Sequence, residues 1–287
     1  MNSQKIAILT DSCADLSLEH IAGKPVYIVP LKILCQDGEY DDGVNIHAAD
    51  IYKRLKAGEL PKTSLPAAGE VDAVLDRIRA DGYEKVAAIM LSSGLSGTYN
   101  LVRLLAGGRE DLEVRVFDTL SGAAGQGCIA LQAALDAESG MSWEELTEKR
   151  IPQLIQNVHP YFTLDTLEYL MKGGRIGKVT ALAGSLLNIK PILTFAEDGQ
   201  LESIAKVRGK KALMDKLIDI VAGYIGEHQH YSLIIANGGR PEEMEELRGR
   251  MAERFPLYEN FWETEIDATL STYIGDGVLG AGVLILD

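Results

Sequence analysis

A loop rich in hydroxyls and glycines, residues 91–100, is the stretch best suited to binding chemistry: Leu-Ser-Ser-Gly-Leu-Ser-Gly-Thr-Tyr-Asn. It lies between an apolar run, 86–91, that predicts a buried strand, and a pattern that predicts a helix. Glycine lets the backbone approach a ligand closely, and the first amides of a helix have no internal partner. Together with the hydroxyls, these amides predict a carboxylate or phosphate site; an ordinary helix N-cap by Ser96 explains the residues equally well.

Two catalytic motifs do not fit this loop. A P-loop needs a lysine after its last glycine, whereas Gly97 is followed by Thr98. A hydrolase nucleophile elbow needs a glycine two residues after the serine, and Thr98 occupies that position after Ser96. The loop therefore predicts a binding site and not a nucleophile.

The composition predicts an acidic globular protein. The 287 residues carry a net charge of −14, which argues against a general nucleic-acid or anionic-membrane surface. With 46% hydrophobic residues, the chain can fill one large or two ordinary domains. We expect a cytoplasmic protein without stable membrane insertion, because we find neither a leader pattern nor a segment long enough to span a bilayer. Three scattered cysteines and five histidines without ligand spacing predict no metal site.

Strand and helix patterns alternate through the first half of the chain. Strands are predicted at 5–10, 26–34, 86–91 and 113–118, and helices at 15–20, 48–57, 69–80, 99–106, 123–139 and 142–157. This alternation predicts a parallel sheet covered on both faces. Ligands on such sheets lie at the carboxyl ends of the strands, where Asp11, Ser96 and Ser121 would meet.

A second cluster of hydroxyls lies between two prolines. Residues 61–66 should be extended, because Pro66 disfavours a helical conformation at the residue before it. Thr63 and Ser64 are the candidate donors of this segment, whose simpler reading is an ordinary linker.

The pattern changes near His159. Strands are predicted at 161–164, 191–195, 201–207, 231–237, 262–266 and 282–286, and helices at 166–172, 181–188, 212–226 and 242–254. An Asp-Gly turn at 198–199 predicts a β-hairpin between two of these strands. The fold class is therefore α/β with two domains: 1–157 with a parallel sheet and 158–287 with a mixed sheet.

The most basic part of this acidic chain surrounds Arg175 and Arg208. It also contains Lys172, Lys178, Lys190, Lys206, Lys210 and Lys211. Such a cluster is either scattered solvated charge or a docking patch for a phosphate or an acidic partner.

Seven segments, in one order along nearly the whole chain, resemble the DegV-like fatty-acid-binding proteins. They lie at 10–12, 62–66, 91–99, 118–121, 173–176, 190–193 and 206–208. The resemblance implies two α/β domains with a long-chain fatty acid in an apolar tunnel between them. It implies a carrier without cofactor, which presents the acid to a fatty-acid kinase for acyl-phosphate formation in lipid transport and phospholipid synthesis.

The resemblance also implies roles for individual residues. Thr63 and Ser96 match the family's carboxylate-holding hydroxyls, and Arg175 and Arg208 match arginines where the kinase docks. From the matching segments we also expect ligand contacts from a further set: Ser64, Gly97, Thr98, Ser121 and Tyr273.

One segment departs from the family pattern. The family commonly ends with His-x-Gly-Pro-Gly, whereas this chain has Tyr273-Ile274-Gly275-Asp276-Gly277. Tyr273 can donate a hydrogen bond but cannot become cationic near neutral pH. Asp276 adds a negative charge, which disfavours an ionised carboxylate unless it points away. Two other functions remain open: an enzyme acting on a small phosphorylated or hydroxylated substrate at Asp11, Ser96 and Ser121, and a lipid-sensing regulator.

Overall fold

The computed structural model describes residues 2–182 and 189–287. We call residues 2–157 the N-terminal part and the remaining described residues the C-terminal part. The helix predicted at 181–188 lies outside the described residues except for its first two, which end a 3₁₀ segment, Gly177–Leu182.

The described elements follow the predicted alternation. The strands are β1 (Ile6–Asp11), β2 (Val26–Val29), β3 (Lys32–Cys35), β4 (Gly38–Asp41), β5 (Lys62–Ser64), β6 (Lys85–Met90), β7 (Glu113–Asp118), β8 (Val158–Thr163), β9 (Lys190–Phe195), β10 (Leu201–Val207), β11 (Tyr231–Gly238), β12 (Phe261–Glu265) and β13 (Val278–Ile285). The helices are α1 (Leu18–Ile21), α2 (Ala48–Lys56), α3 (Ala68–Ala80), α4 (Thr98–Ala106), α5 (Ala123–Glu138), α6 (Trp143–Glu145), α7 (Ile151–Gln156), α8 (Glu168–Lys172), α9 (Lys210–Ile225), α10 (Pro241–Arg254) and α11 (Ala268–Ile274). A π-helical turn, Leu146–Arg150, joins α6 to α7.

The N-terminal part contains the predicted parallel sheet. Its strand order is β2-β1-β6-β7, and every neighbouring pair is parallel. All six residues of β1 are buried, as expected for a strand covered on both faces. The carboxyl ends of β1, β6 and β7 meet at one edge of the sheet, so the loops that follow them are neighbours.

The single strand predicted at 26–34 is wrong. Pro30 cannot donate a hydrogen bond to a sheet, and the chain divides there into two strands of different sheets. β2 joins the parallel sheet, whereas β3 forms the centre of a three-stranded antiparallel sheet, β4-β3-β5. The change of sheet places β3 beside β5, which carries Thr63.

The C-terminal part contains a six-stranded mixed sheet, in the order β10-β9-β8-β13-β11-β12. The predicted hairpin is confirmed, since β9 and β10 pair antiparallel on either side of Asp198 and Gly199. Two features of the last segment were not predicted. α11 follows β12, and β13 begins at Val278, four residues before the predicted strand.

A close backbone contact joins the two parts, and we call it the seam. The Ser92 hydroxyl donates to the Gly199 carbonyl at 2.8 Å. A Cβ atom on Gly94 would lie 2.6 Å from the Asp198 carbonyl oxygen, and one on Gly199 would lie 2.1 Å from Ser92 Oγ. The loop after β6 and the β9–β10 turn therefore meet at a distance that only glycine allows.

Candidate functional site

An apolar cavity lies between the N-terminal and C-terminal parts. Its volume is about 930 Å³ when the opening to solvent is included. Its lining runs from Leu31 to Gly125 in one part and from Pro160 to Ala281 in the other. Most of the wall is hydrocarbon, with contributions from Leu95, Phe162, Phe195, Ile234, Leu270 and Ile274. Such a wall fits an elongated apolar molecule.

Two hydroxyls from distant parts of the chain meet in this lining. Thr63 lies on β5 and Tyr273 near the end of α11, and the Thr63 Oγ1 and Tyr273 hydroxyl oxygens are 2.5 Å apart. β5 is extended, as the flanking prolines predict, and it presents Thr63 half-buried. The two residues also line a second, adjoining hollow, so they mark the place where the two spaces meet.

Ser96 contributes a third hydroxyl to the cavity lining. It lies in the loop between β6 and α4, as predicted. Its Oγ is 2.9 Å from Thr98 Oγ1 and accepts a hydrogen bond from the Thr98 amide at 3.3 Å. Thr98 is buried and does not line the cavity, so its contact is with Ser96. Ser96 therefore accepts the first amide of α4, whose N-cap residue is Gly97, and it also lines the cavity. Its predicted role in binding a carboxylate stays a prediction.

Arg175 adds a positively charged side chain to the three hydroxyls of the cavity lining. Its Nε donates to the Leu95 carbonyl at 3.3 Å, and its Nη1 donates to the Gly173 carbonyl at 2.8 Å. The guanidinium lies over the Tyr273 ring, 5.0 Å from the ring centroid. The ring in turn packs against Gly173, where a Cβ atom would be 2.3 Å from Tyr273 Cδ1. Arg175 therefore fixes the tyrosine as well as supplying a positive charge.

The adjoining hollow has basic side chains in its lining, and we call it the vestibule. Lys62, Lys172 and Arg175 line it together with Thr63 and Tyr273. Lys172 also pairs with Glu168 at 2.5 Å on the exposed face of α8. An anion at the mouth of the cavity would therefore meet positive charge on its solvent side.

The remaining predicted site residues do not line the cavity. Ser64 and Gly97 are exposed, and Gly97 packs against Leu65. Ser121 is buried, and its hydroxyl has no hydrogen-bond partner among the described residues. Arg208 is exposed just beyond β10. Their ligand or docking roles stay predictions.

Half of the eight basic residues of the region seen in the sequence form ion pairs in the fold, Lys172 with Glu168 among them. Lys178 pairs with Asp198 at 2.9 Å, Lys210 pairs with Glu246 at 2.9 Å, and Lys190 pairs with Asp165. Exposed pairs of this kind contribute little to stability, but they reduce the positive potential available to a partner.

The grouping of Asp11, Ser96 and Ser121 is not assembled at the cavity. Asp11 is fully buried, and its carboxylate accepts the amides of Leu91 at 2.8 Å and Cys13 at 3.0 Å. Burial raises the pKa of Asp11 to about 6, against the lowering effect of these hydrogen bonds. The Asp11 carboxylate thus joins the ends of β1 and β6, and only Ser96 of the three lines the cavity.

Asp276 does not place its charge at the mouth. Its carboxylate pairs with Lys56 at 2.6 Å, and the residue lines neither the cavity nor the vestibule. The negative charge expected from the sequence is therefore directed toward α2.

Sequence reasoning named Tyr273 but missed the other cavity residues of α11. Thr269, Leu270 and Ile274 all line the cavity. The available signal was Asp267, whose side chain accepts the Leu270 amide at 2.7 Å and caps the helix.

Two groups of side chains in the described residues have ligand atoms close enough for a metal ion, within 4.8 Å of one another. In the first, Asp37 and Glu59 accompany Cys35, and Arg54 already pairs with both carboxylates. In the second, Cys13 lies with Asp42 and Asp267, whose oxygens accept amides of α11. We therefore assign the first group to an ion pair and the second to helix capping.

No helix in the described part of the chain combines the length and the apolar character that crossing a bilayer requires.

Comparisons with known proteins agree with the fold described above. Residues 5–286 match the family model described as an uncharacterised protein of the DegV family. The chain belongs to the DegV family. A DegV domain-containing protein of Clostridium acetobutylicum is 35% identical over 277 residues, which cover 96% of this chain and 98% of that protein.

Two solved structures of DegV proteins superpose closely on this chain. The DegV family protein from Thermus thermophilus, described as fatty-acid-binding, has a TM-score of 0.91 at 27% identity and covers 100% of both chains. DegV from Bacillus subtilis, described as a fatty acid binding protein, has a TM-score of 0.88 at 27% identity. It covers 99% of this chain and 100% of its own.

Proposed function

We propose that this DegV protein binds a long-chain fatty acid in the cavity, with its carboxylate at the mouth near Thr63, Ser96 and Tyr273. The observation that carries the proposal is one hydrocarbon-walled space whose lining includes a cluster of hydroxyls and an arginine. The fatty-acid-binding DegV structures from Thermus thermophilus and Bacillus subtilis support it.

The free energy of binding comes mainly from the acyl chain. Burying about fourteen methylenes contributes on the order of 11 kcal/mol gross, at about 0.8 kcal/mol each. Association and ordering consume a substantial share of that free energy. Hydrogen bonds to the carboxylate add about 1.5–3 kcal/mol each at most. The hydroxyls therefore determine which end of the ligand faces the vestibule more than how tightly it binds.

We propose further that the bound acid is presented to a fatty-acid kinase. The carboxylate would lie beside the vestibule, where Lys62 and Arg175 supply positive charge, whereas Lys172 is paired with Glu168. Phosphoryl transfer to a carboxylate needs access for a second protein and stabilisation of negative charge, and the vestibule offers both. Arg208, exposed beyond β10, is the proposed docking residue outside the mouth.

Native mass spectrometry of the purified protein tests the ligand. A noncovalent excess equal to a fatty acid, lost on denaturation, is the expected result. An empty protein that does not take up added long-chain fatty acid contradicts the proposal.

A phosphorylation assay tests presentation. With a fatty-acid kinase and ATP, the bound acid should become an acyl phosphate only when this protein is present. A protein that holds fatty acid but never supports that reaction would instead be a lipid sensor.

A further inference from the structure

Two buried carboxylates of the N-terminal part bind the first amides of α11. Asp15 Oδ1 accepts the Asp267 amide at 2.9 Å. Asp42 accepts the amides of Ala268 and Thr269 at 3.0 and 3.3 Å. A helix in the C-terminal part is thus anchored on acids of the other part, because its first amides have no partner within the helix.

The two acids are neighbours in space, since Asp15 Oδ1 accepts the backbone amide of Asp267 at 2.9 Å. The Oδ2 atoms of both residues are buried and receive no hydrogen bond from an N–H or a hydroxyl of the described residues. Two ionised carboxylates only accept hydrogen bonds, so both Oδ2 atoms would stay without a donor. A proton on one of the two carboxyls would supply the missing donor.

The groups around Asp15 and Asp267 favour the protonated state of one of the two carboxyls. The charged groups facing the pair are Asp42 and Glu265, and the Cys13 thiol lies close to Asp267. Within the described residues, neither Asp15 nor Asp267 forms an ion pair with a lysine, arginine or histidine. Burial raises the pKa of Asp15 to about 7 and that of Asp267 well above its usual range.

We propose that Asp15 and Asp267 share one proton across the interface, and that this proton holds α11 against the N-terminal part. The Thr269 amide binds Asp42 while its side chain lines the cavity, and Tyr273 lies one turn further on. Loss of the proton places two negative charges together in a buried site and weakens the anchor of the helix. Ligand retention therefore falls as pH rises; this last step rests on the proposed function.

The sign of the pH dependence follows from proton linkage. An unfolded aspartate releases its proton near pH 3.9, whereas the native pair keeps one to neutral pH or above. The native state then binds more protons, so the free energy of unfolding falls as pH rises through the native pKa values. Asp11 changes stability in the same direction at a lower pH, with a pKa of about 6.

Asp267→Asn is the decisive variant. An asparagine keeps an oxygen for the Leu270 amide and donates a permanent N–H to Asp15, so the contact survives without a titrating proton. Asp15→Asn is the second variant, and asparagine tolerates the left-handed backbone of residue 15, whose φ is 55°. Asp219→Asn, on the exposed face of α9, is the charge-matched control.

Thermal unfolding of the ligand-free protein, followed from about pH 6 to about pH 8.5, tests whether Asp15 and Asp267 share a proton. The wild type and the control should lose stability over this range, with the unfolding constant rising by up to about tenfold per pH unit. Either asparagine variant at the pair should flatten the profile. Profiles parallel to the wild type in both variants overturn the proposal.

Infrared spectroscopy of the wild type gives an answer that needs no variant. At about pH 7, exposed carboxyls are ionised and Asp11, with a pKa of about 6, is mostly ionised as well, so a strong protonated carboxyl band reports the pair. Absence of that band overturns the proposal, as does a stoichiometric divalent metal in the freshly purified protein. A band that disappears in Asp267→Asn supports it.

Release of a fluorescent long-chain fatty acid tests the link to the cavity. The wild type should release it faster as pH rises, and Asp267→Asn should not. Failure of any fatty acid to bind refutes the proposed function and leaves the stability and infrared results to decide the shared proton.

Discussion

The wall of the cavity and its polar mouth are built on different principles. The wall is assembled from many apolar side chains, each of which adds a little buried area. The mouth depends on four residues in direct contact or close by: Thr63, Ser96, Arg175 and Tyr273. The difference suggests that affinity is spread over the wall, whereas ligand orientation depends on a few atoms.

The largest loss of affinity is expected when a larger side chain on the wall fills part of the cavity. Ala236 on β11 lines the cavity and is almost fully buried. Ala236→Phe should lower affinity for a long-chain fatty acid by about 100-fold, because excluding about four methylenes costs about 3 kcal/mol. A titration with a fluorescent fatty acid measures it.

Ala222→Phe is the matched control, since Ala222 is a half-buried residue of α9 on the other side of the sheet. It should bind fatty acid as the wild type does. Equal affinity in a folded Ala236→Phe protein would show that the acyl chain lies elsewhere.

A smaller effect is expected at the mouth. Thr63→Ala combined with Ser96→Ala removes two hydroxyls and leaves Arg175 in place. Affinity should fall by about 30-fold, since each of the two hydrogen bonds contributes about 1 kcal/mol net. Phosphorylation by the kinase should fall further, because the carboxylate loses its fixed orientation.

Isothermal titration and the kinase assay, performed on the same samples, separate these two effects. Ser139→Ala with Thr180→Ala, which removes two exposed hydroxyls bonded to their own helical turns, is the control. Full affinity and full phosphorylation in the Thr63 and Ser96 double variant would remove the head-group assignment.

The smallest effect is expected from Tyr273→Phe. The phenylalanine ring keeps its packing on Gly173 and its contact with Arg175, and only the hydrogen bond to Thr63 is lost. Affinity should fall by about threefold, measured by the same titration. A loss as large as that of Ala236→Phe would mean that the mouth, and not the wall, governs affinity.

The sequence predicted the mouth better than the wall. Ser96 lies in a loop rich in hydroxyls and glycines, and Thr63 lies on the short strand β5 between two prolines. Both segments stand out locally in the sequence, and both residues line the cavity. The wall has no such local signal, because a residue such as Phe195 or Ile234 resembles any core residue until the sheets are packed.

The errors in the fold that we predicted from the sequence have local physical causes. At Pro30 an apolar run hid the change from one sheet to another. α11 has only seven residues, too few for a helical period to be distinguished, and its cap at Asp267 was the only local sign. The partner of that cap, Asp15, is 252 residues away in the chain and has no sequence signature.

The seam limits which residue types can occupy positions 94 and 199. Even one methyl group at Gly94 or Gly199 would have to push the β9–β10 turn away from the loop that carries Ser96. Such a displacement would widen the cavity from the side, without a change in any residue that lines it. A single added carbon at the seam can therefore change the width of the cavity.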